Sequence, residues 1–181
     1  MTVITISGLP GTGTTTIATQ LQKSLHIPYI YTGDVFRSLA KKYRMSLEQF
    51  GSYAEQHPEI DNELDEQQLK ILKQGNVILE GRLAGWLAYQ NNIPAFKIML
   101  IADILIRAQR IVNREGGAIE TRLKEIQTRE ISENTRYKKY YNIDASDLSI
   151  YNLVIDTSNL TPEIITNKII NELKKQSYQT N

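Results

Sequence analysis

Val3-Ile4-Thr5-Ile6-Ser7-Gly8-Leu9-Pro10-Gly11-Thr12-Gly13-Thr14-Thr15-Thr16 is the stretch that decides the fold. Val3 to Ile6 is a β-branched run suited to a buried strand. Glycines follow at 8, 11 and 13, and then Ile17, Ala18, Leu21 and Leu25 recur at helical spacing. Strand, glycine-rich turn and helix in that order make a concave anion site. Glycine lets the backbone fold tightly and turn N–H groups inward, and the helix N-terminus adds positive dipole. Gly8, Leu9, Pro10, Gly11, Thr12, Gly13, Thr14, Thr15 and Thr16 are therefore expected to hold the phosphates of ATP. The usual pattern is G-x-x-x-x-G-K-[ST]. Gly8 and Gly13 fill its glycine positions and Thr15 its hydroxyl position, but Thr14 stands where the lysine belongs. A catalyst without that ammonium needs another cation at the transferring phosphoryl group. Arginines are expected elsewhere at the site.

Working outward, the chain alternates apolar runs with amphipathic segments. Further strands are expected at Pro28 to Tyr31, Val77 to Glu80, Phe96 to Ile101 and Leu153 to Asp156. Helices are expected at Asp34 to Lys42, Ser46 to Gln74, Ala84 to Gln90, Ile104 to Asn113 and Glu120 to Tyr141, with a last one opening at Thr161-Pro162-Glu163. Ser46 reads as an N-cap and Gly75-Asn76 as a stop. Such alternation implies an α/β fold: a five-stranded parallel sheet with helices on both faces, in three layers. Ligands of such sheets sit at the carboxyl ends of the strands.

Bulk properties narrow the function. The 181 residues suit one domain. Lys plus Arg number 21 against 20 for Asp plus Glu, so no general charge draws the chain to nucleic acid or to acidic membranes. Lys138-Lys139-Tyr140-Tyr141 and Lys174-Lys175 are read as solvated faces rather than nucleic-acid contacts. With no cysteine and two histidines, His26 and His57, thiolate and histidine-based metal centres are excluded or disfavoured. No apolar run approaches the ~20 residues of a membrane span. A cytoplasmic monomer is expected.

The arginines that the loop requires are present. Arg37 follows the second strand, in Thr32-Gly33-Asp34-Val35-Phe36-Arg37, and Arg82 follows the third, in Glu80-Gly81-Arg82. Arg107, Arg110 and Arg114 share one helix face by spacing, and Arg129 and Arg136 lie seven apart with Glu133 between them. A dianionic phosphate is best met by bidentate guanidinium groups. Glu80 ends a strand beside the loop, where binding a Mg²⁺ water and bonding to the loop are both open roles. Trp86 and most tyrosines read as packing, and His26 as the end of the first helix.

These segments, together with Tyr53-Ala54-Glu55, His57-Pro58-Glu59-Ile60-Asp61, Leu79-Glu80-Gly81-Arg82-Leu83-Ala84 and Tyr141-Asn142-Ile143-Asp144, resemble the cytidylate kinases, specifically the short archaeal type. The resemblance spans nearly the whole chain. It implies a nucleoside monophosphate kinase core, an acceptor-binding insertion from about 38 to 74 and a lid from about 112 to 121. It implies γ-phosphoryl transfer from Mg²⁺-bound ATP to CMP, and to dCMP as well. Thr15 would ligate the metal. Asp34, Arg37, Arg82, Arg129, Glu133 and Arg136 would meet the acceptor, and Arg110 and Arg114 would be the catalytic lid arginines. Bacterial relatives carry an acid where this chain has Leu83, which leaves the ribose contact open. Adenylate or uridylate kinase is an alternative, and a nucleotide-binding regulator without turnover is another, favoured by Thr14.

Overall fold

The computed structural model describes residues 2–179. β1 (Val3–Gly8) leads through the glycine-rich turn into α1 (Thr14–Leu25), and β2 (Tyr29–Tyr31) leads directly into α2 (Thr32–Lys42). Two further helices, α3 (Leu47–Gln56) and α4 (Pro58–Gln74), precede β3 (Val77–Glu80) and α5 (Ala84–Gln90). β4 (Phe96–Ile101) is followed by α6 (Ile104–Glu115) and the long α7 (Ile119–Tyr141). β5 (Leu153–Asp156) and α8 (Pro162–Gln179) close the chain's described part.

All strand pairs are parallel and the sheet order is β2-β3-β1-β4-β5. β1 is central because both of its faces are buried: Ile4 and Ile6 on one, Val3 and Thr5 on the other. One face carries Ile17, Ala18 and Leu21 of α1 with Ile165 and Ile169 of α8. The other carries Leu72 of α4 with Ala84, Leu87 and Ala88 of α5. Each fully buried Ile or Leu contributes about 1.5–3 kcal/mol. The register sets Ile6 beside Glu80, Tyr31 beside Glu80 and Gly8 beside Leu100, so the strands end together on one rim. Successive strands go to one side of β1 and then to the other, and the crevice opens beyond that rim.

The stretch read as one helix, Ser46 to Gln74, is two. Ser46 caps α3 with a full capping box to Gln49, and the chain breaks at His57, whose φ of −128° and ψ of 84° leave the helical region. Pro58 imposes this, since its ring excludes the preceding residue from the α conformation. Phe36, Tyr43 and Phe50 pack where α2, α3 and α4 meet. Gly75 and Asn76 end α4 with positive φ, and His26 ends α1 with a φ of 55°. Trp86 packs on Ile143 and Ile150. Gly116 and Gly117, with φ of 77° and 94°, separate α6 from α7. Among the described residues, no helix is long and apolar enough to cross a membrane.

Candidate active site

The loop between β1 and α1 is held against α6. Gly11 has a φ of 84°, and a Cβ there would lie 2.7 Å from the Arg107 carbonyl oxygen. Gly13, with a φ of 96°, precedes the first helical residue. The first N–H groups of α1 have no intrahelical acceptor by geometry, and no side chain caps them. They are free to point at an anion. The loop carbonyls are secured from the far side. Thr157, just past β5, donates its hydroxyl to the Thr12 carbonyl at 2.9 Å. Arg110 donates to the Gly11 carbonyl at 3.2 Å, to the Thr157 hydroxyl at 3.0 Å and to the Thr157 carbonyl at 2.7 Å. The guanidinium expected over a transferring phosphate is thus engaged beneath the loop.

Glu80 is buried and takes two hydroxyl donors. Thr15 Oγ1 donates to Oε1 at 2.8 Å, and the Tyr29 hydroxyl donates to Oε2. Burial and the Glu80 charge raise the Tyr29 pKa above the ordinary phenol range. The Thr32 hydroxyl donates to the Glu80 carbonyl at 2.7 Å, fixing the turn at Gly81, where an added Cβ would lie 2.4 Å from that hydroxyl oxygen.

Arg82 leaves this turn and pairs with Glu133 of α7. Burial, with the nearby charge of Arg129, pulls the Arg82 pKa down to about 10, so it stays cationic at neutral pH. Arg129 also meets Glu133, at 3.1 Å, and Arg136 meets Asp61 of α4 at 3.2 Å. Arg82, Arg129, Glu133 and Arg136 share one cavity of about 700 Å³ with the whole loop from Gly8 to Ile17, Glu80, Arg110 and Arg114. Arg37 and Asp34 pair with each other at 2.6 Å outside the cavity walls, the guanidinium lying over the Tyr31 ring. Arg114 lines the cavity but is exposed and pairs with Glu115. Arg107 is buried, bonded to Glu130 of α7 and to the Ala102 carbonyl.

Sequence reasoning missed the α4 wall: Asp61, Leu64, Asp65 and Gln68 face the cavity, with Tyr137 and Tyr141 beside them. Their spacing marks one helix face, but nothing in it separates a cavity face from a solvent face. Burial pushes the Asp65 carboxyl up to about 6, with Tyr141 opposing and Asp61 reinforcing the shift. A carboxyl raised in the folded state adds stability fully below its ordinary value and loses it as pH rises through about 6. The ligand-free Asp65→Asn variant should therefore be about 2 kcal/mol more stable than wild type at pH 7.5, the gain vanishing near pH 4. Urea melts at the two pH values check this; an equal gain at both would assign it to packing.

The hard oxygens of Thr15 and Glu80, next to a phosphate nest, suit a cation brought by a nucleotide. Mg²⁺ is usually bound through one or two protein oxygens plus substrate phosphates.

Among solved structures, the fold is similar to an uncharacterized protein from Eubacterium ventriosum, with a TM-score of 0.72 and 17% identity over 96% of this chain and 99% of that one. It is similar also to the shikimate kinase of Bacteroides thetaiotaomicron, with a TM-score of 0.66 and 12% identity over 96% and 98%. In sequence, the chain is 49% identical to the cytidylate kinase of Methanocaldococcus jannaschii over 177 residues, 96% of this chain and 99% of that protein. It is 47% identical to the cytidylate kinase of Pyrococcus horikoshii over 161 residues, 89% of this chain and 82% of that protein. The profile of the Cytidylate kinase-like family matches residues 3–159. With a glycine-rich loop and an arginine-lined pocket facing it, the family match and the near full-length identity to two archaeal enzymes establish that the chain belongs to the cytidylate kinase-like family.

Proposed function

We propose that this protein transfers the γ-phosphoryl group of ATP to CMP, giving ADP and CDP, with dCMP as a second acceptor. The observation that carries the reading is the joining of two anion sites in one cavity, the backbone nest of Gly8 to Thr16 and the arginines 82, 129 and 136. CMP as the acceptor rests on the name of the similar archaeal enzymes. Both anion sites belong to one chain, so the reaction needs no second copy.

Phosphoryl transfer demands in-line positioning and cancellation of charge more than covalent help. The N–H groups at the start of α1 hold the donor phosphates. Thr15 and Glu80 would hold Mg²⁺, Thr15 by its hydroxyl and Glu80 through a water. When bound, Mg²⁺ would supply positive charge to the donor phosphates. Arg82, flanked by Arg129 and Arg136, orients the acceptor phosphate, whose oxygen is already ionised and needs no strong base. Arg37 reaches the acceptor only by leaving Asp34. Arg110 fixes the loop carbonyls so that the N–H groups keep their aim. Arg114, exposed next to Gly116-Gly117, turns from Glu115 to the transferring group and supplies the charge that Thr14 lacks. Closure of that segment, about 112 to 121, excludes water.

An acceptor series of CMP, dCMP, UMP, AMP and GMP with ATP tests the reading. ADP formed fastest with CMP is expected. Equal rates without acceptor would favour a nucleotide-binding regulator with slow hydrolysis, and a preference for AMP or UMP would reassign the acceptor. Arg114→Ala should lower kcat at least ~10-fold with the KM for CMP within threefold. A change confined to KM would place Arg114 on the acceptor.

A further inference from the structure

We propose that Asp65, with Gln68 beside it on α4, reads the amino edge of the acceptor's base and so selects cytosine over uracil. This rests on the reading of the protein as a kinase of pyrimidine monophosphates.

The first argument is position. Asp61 is tied to Arg136, on the phosphate side of the cavity. Asp65 lies one turn further along α4, about 6 Å away, and Gln68 about one turn beyond it. Both line the same cavity. A base lies one ribose away from its phosphate, and on the proposed reading it extends in that same direction. Phe36 and Leu64 line the cavity there as apolar side chains, suited to the faces of a planar ring.

The second argument is the state of each carboxylate. Of the acidic side chains described in the cavity wall, Glu133 is matched by Arg82 and Arg129, Asp61 by Arg136, and Glu80 by the hydroxyls of Thr15 and Tyr29. Asp65 is matched by no cation among the described residues. Its neighbours are the Tyr141 phenol and the Gln68 amide, whose Nε2 donates to Asp65 Oδ1 at a long 3.4 Å. Gln68 is only 4% exposed, and its other contact, to the Leu64 carbonyl, is also long at 3.4 Å. Gln68 is thus a buried amide held by two long contacts, and Asp65 a half-buried carboxylate bonded by neutral groups alone; such groups gain when a matching ligand edge arrives.

The third argument is chemistry. An ionised carboxylate only accepts hydrogen bonds, while the Gln68 amide both donates and accepts. Cytosine offers an amino donor at C4 and an acceptor at N3, which match Asp65 and the Gln68 amide. Uracil offers an oxygen at C4, which would set lone pairs against the carboxylate. Sites built to bond a donor discriminate strongly against analogues without it.

The test compares wild type with Asp65→Asn, whose amide both donates and accepts and so suits either base. We would measure kcat/KM for CMP and for UMP with ATP, and the Kd of each acceptor alone by calorimetry. The CMP-to-UMP ratio should fall at least ~30-fold in the variant, in kcat/KM and in Kd alike. A ratio within threefold of wild type overturns the assignment of Asp65 while leaving the kinase reading intact. A wild type that phosphorylates neither acceptor overturns both. Should Asp65→Asn fail to fold, Asp65→Ser, whose hydroxyl also serves either base, takes its place with the same thresholds.

Discussion

Replacement of Arg82 by alanine should lower kcat/KM for CMP at least ~100-fold, equivalent to about 2.7 kcal/mol of lost transition-state stabilisation. The size of the effect follows from how firmly this side chain is placed. It leaves a turn held by the Thr32 hydroxyl on the Glu80 carbonyl and by the Ser7 hydroxyl on the Gly81 carbonyl. Its guanidinium is largely buried and lines the cavity that contains the phosphate loop. Charge placed in such a site interacts more strongly than charge in water. The variant should remain folded, because Glu133 keeps Arg129 as a partner, and a melting curve beside the kinetics verifies this. Activity within threefold of wild type, in a folded variant, removes Arg82 from the site.

Gly11→Ala should be the most damaging single change in the loop. The position combines a φ of 84° with three Arg107 atoms, two of them backbone, within 2.9 Å of the added Cβ. Backbone cannot swing aside as a flexible side chain does. The loop would have to lift from α6, breaking the bonds of Arg110 to the Gly11 carbonyl and of Thr157 to the Thr12 carbonyl. We expect about 3 kcal/mol of lost stability, a KM for ATP raised at least ~10-fold and a kcat lowered at least ~100-fold. Binding of CMP alone should stay within threefold, since the arginines proposed to meet it stand on other elements. Gly13→Ala serves as comparison: φ is 96° there, but a Cβ would meet no atom within 4 Å, so only strain is added. If both variants matched wild type in melting temperature and in KM for ATP, the loop would not be clamped as described.

The sheet was legible because its strands are short apolar runs bounded by turn residues. Val77–Glu80, Phe96–Ile101 and Leu153–Asp156 stand where the sequence puts them. The glycine-rich turn was legible because its chemistry is local. The break at His57 escaped because apolar spacing runs on through both helices, though Pro58 was visible. The arginines show where sequence stops. Arg107, Arg110 and Arg114 share one face by spacing, yet one is buried against Glu130, one lies under the phosphate loop and one is exposed. Their partners lie on distant segments, so no local pattern reveals them. Thr157 escaped for the same reason, since its role depends on contacts with residues 12 and 110.

Each guanidinium proposed to meet the acceptor already holds a carboxylate of its own chain: Arg37 with Asp34, Arg82 and Arg129 with Glu133, Arg136 with Asp61. On the proposed reading an arriving nucleotide evicts resident anions and gains only the difference between two similar contacts. Small oxyanions such as sulfate, with no base or sugar to add to that difference, should compete poorly. Selectivity against the commonest solutes of the same charge would thus be built into the resting protein before any nucleotide arrives.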